Sequence, residues 1–79
     1  MRQRLRQLIA ETFELKESSL PDNPSPLNVS EWTSLGHLEL VLRVEEEFTI
    51  HFETERIGRI ISLDLMCLEI ERVRQSSGP

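Results

Sequence analysis

Apolar residues recur along the chain at helical intervals. Leu5, Leu8, Ile9 and Phe13 fall on one helical face, with Arg2, Arg4, Gln7 and Glu11 mainly on the other. The pattern predicts a helix from about Arg2 to Glu14. Leu38, Val41, Leu42, Glu45 and Phe48 repeat the spacing, and Leu35, Leu40 and Val44 widen the stripe. They predict a second helix from Ser34 or Leu35 to about Phe48, with Ser34 as its N-cap. Ile50 and Phe52 are expected core anchors after it. Residues 53–58 have room for one or two turns. A last helix is expected after Ser62, a second capping residue, with Asp64 complementing its dipole. Leu63, Met66, Cys67, Ile70 and Val73 form its inward stripe.

The stretch from Leu15 to Thr33 breaks this periodicity. It holds Pro21, Pro24 and Pro26 among small polar residues, a composition that favours turns. A loop of about 20 residues is unusual in a compact domain, and is usually functional or disordered. Leu15, Leu20, Leu27, Val29 and Trp32 recur along it and are expected to pin it over the helices. No strand-like alternation is present. The expected fold is therefore all-α: three longer helices and one short one, with a long first connection.

Composition narrows the function. The chain has 79 residues, of which 38% are hydrophobic and 29% charged. That suits one small globular domain, with little wall for a deep substrate pocket, so an enzyme acting alone is not expected. The net charge of -5 opposes a nucleic-acid partner and favours basic ones. No apolar run is long enough for membrane insertion. No signal-like core follows Met1, which points to a cytoplasmic protein. Cys67, the single cysteine, makes no internal disulfide. His37 and His51 do not combine with it at metal-ligand spacing. No orienting acid accompanies His37 as a base for Ser34. Arg2, Arg4 and Arg6 read first as a solvated face, and second as contacts to the acidic loop or to a partner.

The informative run is Glu31-Trp32-Thr33-Ser34-Leu35-Gly36-His37-Leu38-Glu39-Leu40-Val41-Leu42, continuing to Glu45-Glu46-Glu47-Phe48. It sets a hydroxyl at a loop–helix junction, where helix amides favour an attached phosphate, and follows it with acidic residues. This run resembles the acyl carrier protein family, including carrier domains of polyketide and nonribosomal peptide assembly. The Trp32 and Gly36-His37-Leu38 features resemble a subgroup of small freestanding carriers. The resemblance extends over nearly the whole chain, and includes the Ile60-Ile61-Ser62-Leu63 run before the last helix.

The resemblance implies a four-helix acyl-carrier-like bundle over residues 1–75, with 76–79 as a flexible tail. It implies that a phosphopantetheinyl transferase attaches phosphopantetheine from coenzyme A to Ser34. The arm would carry an acyl or aminoacyl thioester. Glu39, Glu45, Glu46 and Glu47 would dock on basic patches of loading and transfer enzymes. Leu42, Phe48, Ile50, Ile57 and Ile60 would line an acyl groove. The protein would be a monomer and would catalyse nothing itself. Thr33 stands where the family usually has Asp, and Gly36 where many members have a second acid. The alternative is therefore an unmodified, carrier-like adaptor.

Overall fold

Four α-helices follow the order that the apolar spacing predicts. A computed structural model describes residues 1–76. It contains α1 (Arg2–Thr12), a 3₁₀ turn (Glu17–Ser19), α2 (Ser34–Phe48), α3 (Thr54–Ile57) and α4 (Leu63–Ser76). The described residues form an all-α fold without strands. Ser76, expected in the tail, still belongs to α4. The rest of the expected tail, 77–79, lies outside the described residues. No helix among the described residues is long and apolar enough to cross a membrane.

The α1 helix packs against α2 and α4. Leu5 and Ile9 of α1 meet a core that includes Leu40 and Val44 of α2 and Leu63, Met66 and Ile70 of α4. Phe52 is sealed into the same core. Full burial of each such side chain contributes about 1.5–3 kcal/mol.

Both α1 and α2 stop at left-handed residues that are not glycine. Glu14 has φ 55° and Thr49 has φ 52°. The Leu15 amide donates to the Ala10 carbonyl at 2.9 Å, and the Ile50 amide to the Glu45 carbonyl at 3.1 Å. These bonds close the helix ends, so α1 ends at Thr12 rather than near Glu14.

The long loop is held by the arginines of α1. Arg6 donates to the Pro21 carbonyl at 2.8 Å and to the Glu17 carbonyl at 3.3 Å. Arg2 reaches the Asp22 carbonyl at 3.1 Å and pairs with Asp64 at 2.6 Å. The expected solvated face is thus largely a clamp on loop backbone. Leu20, Val29 and Trp32 are buried as expected. Leu27 is not; it is 98% exposed. It sits at the tip of a turn closed by Asn28 and Val29 amides donating to the Ser25 carbonyl.

The same loop caps α4. Ser62 Oγ accepts from the Leu65 amide at 3.1 Å, the expected N-cap bond. Asn23 Oδ1 accepts from the Asp64 amide at 2.9 Å, a cap that comes from 41 residues away and has no local signature.

The inward face of α2 differs from expectation. His37, Leu40, Val41 and Val44 are buried, whereas Leu35, Leu38 and Leu42 are exposed. The apolar stripe was wider than one helix can bury, and the choice fell to the side that admits His37.

Ion pairs flank the short α3. Glu69 is buried and accepts from Arg72 at 2.7 Å and from Arg56 at 3.3 Å. Arg72 also reaches Glu53 at 3.4 Å. The Arg72 hydrogen bond holds the Glu69 carboxyl below the usual carboxylate range, against the opposing effect of its burial.

A lowered native pKa makes a contribution that is present above the unfolded value, roughly 4.3 for Glu, and lost as pH falls through the native value. Urea unfolding should therefore show Glu69→Gln less stable than wild type at neutral pH. The gap should close as the solution is acidified below roughly pH 4. A gap independent of pH would refute this account.

Candidate functional site

The N-terminal end of α2 is built by the residues before it. Thr33 is extended, at φ −89° and ψ 174°, and its Oγ1 accepts from the Gly36 amide at 3.1 Å. Thr33 is therefore the N-cap, which corrects the assignment of that role to Ser34. The extended residue just before the first helical one is the one whose side chain reaches the amide three positions on.

Ser34 is the first residue of α2 and is exposed. Among the described residues its Oγ makes no hydrogen bond, and the amides of Ser34 and Leu35 find no protein acceptor. An exposed hydroxyl beside two outward amides at the positive end of a helix suits an attached phosphate.

Behind Ser34, Trp32 Nε1–H donates to His37 Nδ1 at 3.0 Å. The imidazole proton then belongs on Nε2, which donates to the Ile57 carbonyl at 2.7 Å. One buried side chain thus joins the loop, α2 and the end of α3. Both ring nitrogens are used, leaving none to act as a base for Ser34. Trp32 stacks on the His37 ring, with centroids 5.9 Å apart, and leans on Phe13 at 5.5 Å. Phe13 comes so close to α2 that a Cβ at Gly36 would lie 2.6 Å from its Cε1. Gly36, read from sequence as a missing acid, is a space requirement.

A cavity of about 450 Å³ opens beside Ser34. Pro26, Trp32, Leu38, Ile57 and Ile61 form its apolar walls, with Thr33, Ser34, His37 and Gly58 at its edges. Of the five expected groove residues, only Ile57 lines it. Ile60 is buried in the closed core, and Leu42 faces solvent. Phe48 lies under the Arg74 guanidinium, 5.2 Å from it. Ile50 lines a separate cavity with Val73, His51 and Thr49, the residue that terminates α2. The five do not form one groove. The resemblance that implies such a groove does not say where neighbouring segments of this chain leave space.

The acidic residues divide in the same way. Glu45 is half-buried; its Oε2 accepts from the Phe52 amide at 2.8 Å and pairs with His51 at 3.2 Å. Glu47 pairs with Arg4 at 2.9 Å. Glu39 and Glu46 are exposed and make no ion pair among the described residues. No protein-family model matches the chain, and no curated protein matches it significantly.

No local spacing announces the Trp32–His37–Ile57 link or the walls formed by Pro26, Leu38 and Ile61. The adjacent Ile60 and Ile61 carry no signal of which one faces the core. A polar residue within an apolar helix face, such as His37, was the one hint.

Gly36→Ala should destabilise the fold by about 1–2 kcal/mol, although Ala is the better helix former. Denaturant unfolding that shows equal or higher stability would mean Phe13 can move away without cost.

Proposed function

We propose that the protein is an acyl carrier that bears phosphopantetheine on Ser34 and presents a thioester-linked acyl group to separate enzymes. The observation that carries this reading is the exposed Ser34 hydroxyl. Thr33 performs the capping, two outward amides flank the oxygen, and an apolar cavity opens alongside. The acyl-carrier-like arrangement of the helices belongs to the same reading, supported by a long first connection and a four-residue third helix.

In the modification, Ser34 Oγ displaces adenosine 3′,5′-bisphosphate from the pyrophosphate of coenzyme A. The serine loses its proton to the transferase. When bound, the arm supplies a thiol that holds the cargo. The Ser34 and Leu35 amides then face the phosphodiester charge, and the α2 macrodipole favours it.

Glu39 and Glu46 have no ion pair to break among the described residues and are the best candidates to meet basic patches on partner enzymes. Glu45 and Glu47 are already committed within the chain. Leu35, Leu38 and Leu42 are exposed on the same helix and add apolar contact. Contacts between exposed charges are individually weak and salt-sensitive, which suits a carrier that must leave each partner. The same reading makes the protein a cytoplasmic monomer with no catalytic residue of its own. Thr33 in place of Asp favours one alternative, an unmodified adaptor.

Intact mass spectrometry after incubation with coenzyme A, Mg²⁺ and a broad-specificity phosphopantetheinyl transferase tests the proposal. One phosphopantetheine should be added, and it should map to Ser34. Ser34→Ala should abolish the addition while changing stability by less than about 0.5 kcal/mol, because Thr33 is the cap. Full labelling of that variant would disprove the site.

Thr33→Asp keeps a capping side chain and restores the charge. It should speed modification in a time course, with stability within about 0.5 kcal/mol of wild type. An unchanged rate would show that the transferase does not read this position.

A further inference from the structure

The cavity beside Ser34 does not end at Ile61. A second cavity, of about 410 Å³, shares Pro26 and Ile61 with the first and continues past Leu27 and Leu65 to the start of α4. The two form one apolar trough on the outside of the bundle, between the long loop and the α3–α4 junction. Each lies in the size range of small-molecule sites. Leu27, Leu38, Ile61 and Leu65 border it and are all exposed, although each is a large apolar side chain. Leu40, Val44, Phe52 and Leu63, by contrast, are fully buried in the core.

Neither lining contains Asp, Glu, Lys or Arg. Apart from Ser34, where the arm would be attached, its polar side chains are committed to the fold. The His37 nitrogens bond Trp32 and the Ile57 carbonyl, Thr33 Oγ1 caps Gly36, and Ser62 Oγ caps Leu65. Asn23 Oδ1 caps Asp64, and Ser25 Oγ accepts from the Leu27 amide. A charged group placed there would lose water and gain no counter-charge.

Resting on the carrier reading, we infer that the cargo is a neutral apolar acyl group, lying in the external trough across Ile61 toward Leu65, and not an aminoacyl group.

The test compares the full chain loaded by the transferase from octanoyl-coenzyme A and from alanyl-coenzyme A. Mass spectrometry confirms loading, and methyl chemical shifts locate the cargo. Octanoyl loading should shift Ile61 and Leu65, leave Leu40 and Val44 unmoved, and be followed by slow hydrolysis. Ile61→Asn should speed that hydrolysis several-fold without altering hydrolysis of the alanyl form. Shifts at Leu40 and Val44, no shift beyond Ser34, or equal shifts from both cargoes would overturn the inference.

Absence of loading would count against the carrier reading itself. The trough is then tested on Ser34→Cys/Cys67→Ala protein joined to an octyl group through a disulfide. Shifts at Ile61 and Leu65 would support an apolar-chain site there. Their absence would refute it.

Discussion

A single aromatic knot ties together the end of the molecule that carries Ser34. Trp32 sits between Phe13 and His37, and Gly36 lets Phe13 approach α2. His37 receives the indole N–H on one side and donates to the last carbonyl of α3 on the other. The residue after α1, the last turn of the long loop, the first turn of α2 and the end of α3 all meet there. Without the knot, the loop would lack its anchor next to the exposed Ser34, and the short α3 would lose its tie to His37. A buried polar side chain is costly when unsatisfied, and this one has a partner for each nitrogen.

The knot also explains how the exposed site remains ordered. Ser34 is exposed, and helix ends ordinarily fray. Here Thr33 takes the capping role, and Trp32 beside it is buried. The hydroxyl is presented by a fixed backbone without being used by it. Farther along, Arg6 and Arg2 hold the loop by its carbonyl groups, while Asn23 returns the constraint by capping α4. The loop therefore behaves as a structural wall, which allows it to form one side of an apolar trough.

The acidic residues divide between those with internal partners and those without one among the described residues. Several acidic residues that look alike in the sequence differ once their neighbours are known. Glu69 and Glu45 serve buried or half-buried contacts, and Glu47 is engaged by α1. Glu39 and Glu46 remain exposed on α2, with the exposed Arg43 between them in sequence. The net charge of the chain thus overstates what is available to a partner.

The sequence by itself determined the helices, their order and most of the core. Leu5, Leu8, Ile9, Leu63, Met66 and Ile70 obey a local period that needs no tertiary information. It also marked Ser34 as standing at a loop–helix junction, because the break in periodicity is local. The end of α1 was less legible, since Glu14 adopts a left-handed conformation without the glycine that would announce it. The burial of His37, the exposure of Leu42, and the choice of Ile61 over Ile60 for the cavity wall were decided only by tertiary structure. Each depends on which distant segment lies opposite, and the spacing of residues along one helix contains no record of that.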